Sequence, residues 1–355
     1  MTEKRGTLDV LVTGGAGYIG SVVTEQLLEV GHNVLVFDNL SEGHRGADSD
    51  GAQIVVGDIL DRSALHTIFS SNNFDVVVHL AAETVVERSM RDPRHVLRSN
   101  VVGGLNLLEE MVDVGVKNLV FSSSAAIYGE LTSGQITEND SHEPVNPYGQ
   151  SKLMTEHMLA WFHRAYGINS VSLRYFNAAG ATRDHGEDHR PETHIIPNIL
   201  RVALGKDSFV PIFGTDFPTF DGTAIRDYVH VVDIADAHLR AISRVDSLGC
   251  RSYNLGSGRG YSVQEVVDAV RLVTKNSIKS EARDRRPGDP AVLVASNALA
   301  KEELAWKPSF TTIDSIVQSA WDWHQRHPEG RGGPPLLRLR GTPEEGRWRG
   351  GLPCH

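Results

Sequence analysis

The sequence predicts an α/β protein: a doubly wound parallel sheet with a smaller mixed α/β domain beside it. From residue 8 to about residue 175, short apolar runs alternate with longer amphipathic stretches, the pattern of repeated strand–helix units. The apolar runs lack the period-two polarity of a half-exposed strand, so we expect strands buried on both faces. At 355 residues the chain is long enough for about two domains.

The elements of the first part are the most regular. The predicted strands are residues 8–12, 33–37, 53–56, 75–80, 118–122 and 170–174, and the predicted helices are residues 18–30, 63–69, 93–114 and 147–166. Past residue 176 the predicted strands are 209–213, 224–229 and 252–255, and the predicted helices are 196–204, 232–243, 262–273, 297–304 and 312–327. We therefore predict a first domain over 1–175, a second over 176–328 whose elements interleave with the first, and a flexible tail over 329–355. The tail is rich in Gly, Pro and Arg, a composition that cannot bury enough apolar surface to order the chain.

Composition excludes several classes of function. Lys and Arg total 35 against 45 for Asp and Glu, a formal charge of −10, so we expect no nucleic-acid partner. No stretch approaches the roughly 18 apolar residues of a membrane span. The N-terminal residues show no signal core, and Cys250 and Cys354 are too few for a disulfide framework. We expect a cytoplasmic protein without a membrane partner, and we predict no metal site.

A glycine loop follows the first predicted strand. The segment TGGAGYIG, residues 13–20, lies between that strand and a predicted helix. Gly14 permits a tight turn, Gly17 lets the backbone approach a pyrophosphate, and Gly20 lets helix and strand pack closely. Asp38 ends the second predicted strand, 18 residues past Gly20, where a carboxylate accepts hydrogen bonds from an adenosine ribose. The combination predicts a dinucleotide site.

The acidic residues near this loop bear on the choice of cofactor. A carboxylate at Asp38 repels a 2′-phosphate, so NAD is favoured over NADP, although His44 and Arg45 leave NADP open. Asp58, which ends the third predicted strand, either reaches the adenine edge or caps the next helix. The run HLAAE, residues 79–83, ends the fourth predicted strand, and its small alanines let a cofactor lie close.

A serine, a tyrosine and a lysine carry the predicted chemistry. Ser124 lies in SSSAAIYG (122–129), which closes a strand, and NPYGQSKLMTEHM (146–158) opens a helix. Tyr148 and Lys152 are four residues apart and share one helix face. A nearby ammonium favours the phenolate, so Tyr148 becomes a base and, in return, an acid for a substrate hydroxyl. Ser124 is expected to hydrogen-bond the same oxygen.

These motifs resemble those of a known family. TGGAGYIG, the strand-end serine and Tyr148-x-x-x-Lys152 resemble the extended short-chain dehydrogenase/reductase family, which has a Rossmann-like fold. Within it, RYFNAAGA (174–181), FGTDFPTFDGTAIRDYVHVVDIADAH (213–238), YNLGSGRGYSV (253–263) and RRPGDPA (285–291) are similar to the UDP-glucose (UDP-galactose) 4-epimerases. The resemblance covers residues 8–328. It implies reversible NAD-mediated oxidation at C4 of a UDP-hexose, rotation of the 4-keto sugar and return of the hydride.

The resemblance also implies roles for individual residues. Tyr148 is the acid/base, Lys152 tunes it and holds the nicotinamide ribose, and Ser124 orients O4 of the sugar. The predicted cofactor-binding residues are Gly14, Gly17, Tyr18, Ile19, Gly20, Asp38, Asn39, Ser41, Asp58, Ile59, Leu80, Ala81, Ala82, Ser99, Ser122, Tyr148, Lys152 and Phe176. The predicted substrate-binding residues are Ser124, Tyr148, Asn177, His194, Ile195, Phe213, Arg226, Tyr228, Arg286 and Asp289.

Two arginines suit a diphosphate independently of the resemblance. The guanidinium groups of Arg226 and Arg286 match phosphate oxygens, and an acidic chain needs local cations to bind a diphosphate. Asp289 is expected either to accept from the uridine ribose or to hold Arg286. Phe213 and Tyr228 either pack on uracil or fill the core.

Three positions depart from the family pattern. Where the family often has a lysine near the cofactor phosphates, this chain has Glu83 and Thr84, and Ser99 replaces a common asparagine. Cofactor retention is therefore looser, or Arg88 compensates for the missing cation. Leu293 aligns with a position that gates the hexose pocket, and its bulk disfavours an N-acetyl group.

Other functions remain open from the sequence. One is 4-epimerisation of another UDP-sugar, such as UDP-glucuronate, a UDP-N-acetylhexosamine or a UDP-pentose. Another is a non-catalytic NAD-binding regulator, although the presence of Tyr148 argues against it. A 4,6-dehydratase needs an acid/base pair beside Ser124, where Ala125 and Ala126 supply neither. The resemblance implies a homodimer, formed through the helices predicted at 93–114 and 147–166.

Overall fold

A seven-stranded parallel sheet is the centre of the fold in a computed structural model, which describes residues 6–44, 51–130, 134–189, 192–286 and 289–330. Arg45 and the predicted tail from residue 331 onward lie outside the described residues. The strands are β1 (Asp9–Thr13), β2 (Asn33–Asp38), β3 (Gln53–Val56), β4 (Val76–His79), β5 (Asn118–Ser124), β6 (Asn169–Tyr175), β7 (Asn177–Ala179), β8 (Val210–Phe213), β9 (Ile225–His230), β10 (Cys250–Leu255), β11 (Gly260–Ser262), β12 (Ser280–Arg283) and β13 (Val292–Leu293). The helices are α1 (Tyr18–Glu29), α2 (Arg62–Ser71), α3 (Val86–Arg91), α4 (Pro93–Leu97), α5 (Gly103–Val114), α6 (Pro147–Tyr166), α7 (Ile195–Ala203), α8 (Val231–Leu248), α9 (Val263–Thr274), α10 (Ala298–Glu303) and α11 (Ile313–Arg326).

The main sheet confirms the predicted doubly wound fold. Its strand order is β10-β6-β5-β4-β1-β2-β3, and every neighbouring pair is parallel. Residues of β1 and β4 are buried almost throughout, as a strand covered on both faces requires. The strand order reverses between β1 and β4, because β2 and β3 lie on one side of β1 and β4 to β6 on the other. Such a reversal opens a crevice at the carboxyl ends of these strands, the usual ligand site in such sheets.

One strand lies in a different sheet from the one expected. The sequence predicts a strand at 252–255 in the smaller half. In the structure this strand is β10, which extends the main sheet by pairing with β6, so that Tyr253 lies opposite Leu173. The reason is the packing of α8, which covers β6 and lies against α1. Ile234 and Ile242, which are buried on α8, lie in one hydrophobic core with Val171 of β6. The core of the first predicted domain therefore includes residues beyond the predicted boundary at residue 176.

The helix predicted at 93–114 is also divided. α4 ends at Leu97, a π-helical segment spans Arg98–Val102, and α5 begins at Gly103. The interruption lies where the backbone packs closely, because a Cβ at Gly103 would lie 2.5 Å from Cδ1 of Ile59. The helix predicted at 147–166 has the bounds of α6.

The smaller half builds a second wall beside the carboxyl edge of the main sheet. β9 pairs with β7, β11 and β13, while β8 pairs with β12. Helices α7, α9 and α11 cover these strands with a separate apolar core that includes Ile199, Val267 and Val317. Among the described residues, no helix combines the length and apolar character needed to cross a membrane.

Candidate active site

A cavity of about 1430 Å³ lies between the carboxyl edge of the main sheet and the smaller half. Its lining comes from the glycine loop, the ends of β4 and β5, the start of α6, and strands β7 to β9. A pocket for one small ligand is usually about 300–1,000 Å³. This cavity is therefore large enough for two ligands side by side.

The glycine loop forms a cradle that side chains would fill. Gly14 has φ +77°, and a Cβ there would lie 2.4 Å from the backbone N of Ala81 at the end of β4. A Cβ at Gly20 would lie 2.1 Å from the carbonyl oxygen of Gly14. Gly17 precedes α1, and no side chain caps this helix. The N–H groups at the start of α1 are thus available to a pyrophosphate.

Asp38 is fixed at the end of β2. Its Oδ2 accepts from the backbone N–H of Ala16 at 3.0 Å and its Oδ1 from that of Leu40 at 2.8 Å. Burial raises the pKa of Asp38, and the two N–H donors oppose that rise. Each oxygen keeps a lone pair for a ribose hydroxyl, so the residues present fit the adenosine half of a dinucleotide.

Asp58 does not cap the next helix. Asp61 does so, because its side chain accepts from the N–H groups of Ser63 and Ala64 at the start of α2. Asp58 instead lines the cavity, where its Oδ2 accepts from Asn39 Nδ2 at 3.0 Å. The capping alternative was wrong because two aspartates follow β3 three residues apart, and only the second lies at the helix start.

The start of α6 brings Tyr148 to the end of β5. Asn146 caps the helix, with its Oδ1 accepting from the N–H of Gly149 at 2.8 Å, and Pro147 follows at the first position. A Cβ at Gly149 would lie 2.3 Å from the carbonyl oxygen of Ala126. This close approach presses the helix against the segment after β5, so Tyr148 and Ser124 line the same cavity.

Lys152 lies behind Tyr148, one turn along α6. Only 2% of it is exposed, and its Nζ donates to the carbonyl oxygen of Ser122 at 2.6 Å. The Nζ is 5.8 Å from the centre of the Tyr148 ring. Burial lowers the pKa of Lys152 to about 7, while the charge of Glu156 opposes the shift. A cation held here favours the phenolate of Tyr148.

The hydroxyl of Tyr148 is subject to two opposing effects, and the larger one, burial, leaves its pKa above the ordinary value. Burial raises the pKa of Tyr148, and a hydrogen bond from Ser124 lowers it. Ser124 is held in turn, because its Oγ accepts from the N–H of Ala126 at 3.1 Å. The arrangement can take a proton from a hydroxyl of a bound ligand and return it.

The opposite wall carries the residues predicted to bind a diphosphate. Arg226 donates from Nη2 to Oδ1 of Asp289, and only 12% of the arginine side chain is exposed. Asp289 therefore holds Arg226 and not Arg286, contrary to the alternative drawn from sequence, because β9 and β13 bring these two residues together. Arg286 lies over the ring of Phe213, with its Cζ 4.0 Å from the ring centre.

The cavity collects nearly all of the predicted site residues. Of these residues, Lys152 alone is absent from its lining, since it lies behind Ser122 and Tyr148. Tyr228 lines it although only 3% exposed, so its core and ligand roles are compatible. Glu83 and Arg88, which the sequence analysis noted as departures, also line the cavity. The lining residues that the sequence analysis missed include Glu42, Glu187, His189, Glu192, Trp323 and His324.

Glu83, a departure from the family pattern, has local partners. It is buried, and its Oε2 accepts from Nη1 of Arg88 at 2.7 Å. The same Nη1 donates to Oε1 of Glu42 at 3.1 Å. The charge of Arg88 is therefore shared between two carboxylates on either side of the cavity mouth, and the guanidinium ties the loop after β2 to the loop after β4.

The loop before α7 brings two histidines and two carboxylates together. His194 Nδ1 lies 2.8 Å from Oε1 of Glu192 and 3.5 Å from Oε2 of Glu187. His189 Nδ1 contacts Oε1 of Glu187. Burial lowers the pKa of His189, but the charge of Glu187, its hydrogen bond to His189 and the charges of Glu192 and Glu42 together outweigh burial and raise the pKa to about 9. The sequence feature that could have pointed to these residues is the high content of charged residues and histidine over 182–193, which none of the motifs explains.

Comparison with known proteins agrees with this geometry. Residues 10–256 match the model of the NAD dependent epimerase/dehydratase family. The chain belongs to this family. It is 48% identical over 328 residues to a UDP-glucose 4-epimerase of Lacticaseibacillus casei, covering 92% of this chain and 99% of that protein. The fold and the NAD cofactor predicted from the sequence are thereby confirmed.

Solved structures of family members share the whole fold. UDP-glucose 4-epimerase from Brucella ovis, in complex with NAD, superposes with a TM-score of 0.85 at 41% identity, covering 89% of this chain and 98% of that one. The enzyme from Bifidobacterium longum, in complex with NAD+ and UDP, gives 0.87 at 36% identity, covering 91% and 99%. A cavity with room for two ligands agrees with the two bound in the latter structure.

The glycine cradle makes a direct prediction about cofactor retention. Gly14→Ala places a Cβ against the backbone of Ala81, and relief of such overlap costs about 1–3 kcal/mol. NAD affinity should fall by roughly tenfold to a hundredfold, since 1.4 kcal/mol is a factor of ten. The measurement is the NAD released per mole of protein after acid denaturation, with circular dichroism to confirm folding.

Gly115→Ala is the matched control for this experiment. Gly115 has φ +83°, close to that of Gly14, but a Cβ there meets nothing within 4 Å. It shares the backbone strain without the close approach, so its NAD content should equal that of the wild type. Equal NAD contents in both variants would contradict the cradle.

Proposed function

We propose that the protein interconverts UDP-galactose and UDP-glucose by reversible oxidation at C4 of the sugar. The observation that carries this proposal is a single cavity that joins the glycine loop to Tyr148 and Ser124 on one side and to Arg226 and Arg286 on the other. A redox cofactor and a diphosphate sugar can thus lie side by side. In this division, residues 1–175 bind NAD and residues 176–328 bind the nucleotide sugar.

The protein side of the mechanism is proton transfer and orientation. When bound, NAD accepts the C4 hydride of the sugar and later gives it back. Tyr148 removes the O4 proton as a phenolate and returns it to O4 after the 4-keto sugar has rotated. Ser124 holds O4, and the Lys152 ammonium favours the phenolate that starts the cycle. Ser122 keeps Lys152 in place through its carbonyl oxygen.

The proposed substrate contacts follow the opposite wall. Arg226 and Arg286 bind the diphosphate, while Asp289 accepts from the uridine ribose and orients Arg226. Phe213 packs on uracil beneath Arg286. The remaining assignments keep Asn177, His194, Ile195 and Tyr228 as substrate contacts, all of which line the cavity. Leu293, also in the lining, leaves little room for an N-acetyl group.

The first test is conversion of the proposed substrate. The purified protein, incubated with UDP-galactose and no added cofactor, should yield UDP-glucose on separation of the nucleotide sugars. Tyr148→Phe should lower kcat by about 10²–10⁴-fold, because it removes the group that exchanges the O4 proton. UDP-N-acetylglucosamine, UDP-glucuronate and a UDP-pentose run in parallel identify the preferred sugar.

A second tyrosine provides the control. Tyr166, at the other end of α6, is half exposed, so Tyr166→Phe should leave kcat unchanged. Wild-type protein that contains NAD but converts none of these UDP-sugars would overturn the proposal and favour a binding role. Faster turnover of another UDP-sugar than of UDP-galactose would correct the substrate.

A homodimer and a cytoplasmic location belong to the same proposal. α5 and α6 pack side by side and expose large apolar side chains. These are Val102 just before α5, Val114 at its end, and Met154, Trp161 and Tyr166 on α6. Exposed apolar side chains on adjacent helices are typical of a protein interface.

The cytoplasmic location rests on the cysteine content, because two cysteines in the whole chain suit a reducing compartment.

Trp161→Glu tests the interface. Trp161 is 65% exposed, so a charge there leaves the folded monomer intact but disrupts an apolar interface. Size-exclusion chromatography with light scattering should show a dimer for the wild type and a monomer for the variant. Leu272→Glu, at a 68% exposed position on α9, should remain dimeric. A monomeric wild type would overturn the assignment.

A further inference from the structure

A cluster of metal-ligating groups lies in the cavity wall away from Tyr148. We define the Glu187 cluster as Glu187, His189 and His194, each of which lines the cavity. One ligand atom from each residue lies within 4.8 Å of the other two. The redox and proton-transfer steps proposed above use none of these three side chains as a reacting group.

The donor set has the chemistry of a first-row divalent cation site. Two imidazole nitrogens and a carboxylate are a common ligand set for Zn²⁺. In a tetrahedral Zn²⁺ site with bonds of about 2.1 Å, the ligand atoms lie roughly 3.4 Å apart. His194 Nδ1 and Glu187 Oε2 are 3.5 Å apart. Glu192 Oε1 lies 2.8 Å from the same nitrogen, within hydrogen-bond distance, and is not one of the three grouped ligands. A water molecule would complete a four-coordinate site.

Burial and charge at the cluster favour a cation. The side chains of Glu187 and Glu192 are 7% and 9% exposed, so two carboxylates lie nearly out of water. His189 and His194 pair with these carboxylates, and an ion bound by the same side chains would take the place of the imidazole protons. His194 is 46% exposed and lies at the cavity surface, which gives an ion a path to the site.

We propose that Glu187, His189 and His194 bind one Zn²⁺-like divalent cation. The sequence analysis predicted no metal: His189 and His194 have the H-x4-H spacing of some zinc motifs, but no cysteine pair accompanies them. His194 and Ile195 are both proposed substrate contacts; the ion uses Nδ1 of His194, and Ile195 begins α7 directly after it. The ion fixes the loop before α7 against the cavity wall and positions Ile195. It takes no part in the chemistry at C4.

The test measures metal on the untagged holoenzyme. After treatment with a chelator, the wild-type protein is dialysed against Zn²⁺, and its metal content is determined by mass spectrometry. We expect one equivalent of Zn²⁺ per chain. Co²⁺ added to the metal-free protein should give the visible absorption bands of a four-coordinate site with nitrogen and oxygen ligands. These two measurements need no variant and do not depend on the enzymatic activity.

Two variants locate the site, with a matched histidine as control. Glu187→Gln and His189→Ala should weaken Zn²⁺ binding by at least about tenfold. His66→Ala removes a histidine that pairs with one carboxylate, Glu110, outside the cavity, and should bind Zn²⁺ as the wild type does. NAD content and circular dichroism verify that the variants are folded.

Three results would overturn the metal site. The first is wild-type protein that takes up no Zn²⁺, in which case imidazolium–carboxylate pairs hold the cluster by themselves. The second is equal binding by wild type, Glu187→Gln and His189→Ala, which places the ion elsewhere. The third is a Co²⁺ spectrum of the six-coordinate aqueous ion. Each can occur whether or not the protein converts UDP-galactose, so failure of this proposal and failure of the proposed function are distinguishable.

Discussion

The ammonium group of Lys152 is held at the carboxyl edge of the sheet although burial opposes its charge. Burial lowers the pKa of Lys152 to about 7. The charge of Glu156 opposes this lowering, and the carbonyl oxygen of Ser122 accepts a hydrogen bond from the Nζ. The surroundings adapt to the same cation: burial and the charge of Lys152 lower the pKa of His79 to about 3, which keeps that imidazole neutral. Tyr148, one turn earlier on α6, then faces the cavity with a cation behind it. The packing of α6 against the end of β5 holds Lys152 and Tyr148 in these positions.

In the proposed function an acidic protein binds two diphosphates, and it must do so through local features because its net charge of −10 opposes both. The first diphosphate is bound without a charged side chain, by the backbone N–H groups of the glycine loop and of the uncapped start of α1. The second is bound by Arg226 and Arg286, and Asp289 orients Arg226 before any ligand arrives. Where buried carboxylates instead collect, as at Glu187 and Glu192, His189 and His194 pair with them. The cation that we propose there would take the place of the imidazole protons in the same cavity.

Sequence patterns predicted most of the fold, and nearly all of the predicted site residues line one cavity, for identifiable reasons. Strands buried on both faces are apolar runs, and Asn146 with Pro147 marks the start of α6, so these elements could be located. β10 could not be assigned to its sheet, because α8 packing against α1 and β6 decides it. The choice between Asp58 and Asp61 as a cap depends on where α2 begins. The Glu187 cluster depends on how a loop folds, which no periodicity encodes.

The central claim is that both ligands share one cavity, so that the hydrogen removed from C4 is the one returned to it. UDP-galactose carrying deuterium at C4 tests this claim directly. The account predicts UDP-glucose that keeps the deuterium at C4, and unlabelled substrate turned over in D₂O should gain none there, as NMR of the product would show. Loss of the label to water, or solvent deuterium at C4, would contradict the account and indicate proton abstraction at carbon instead.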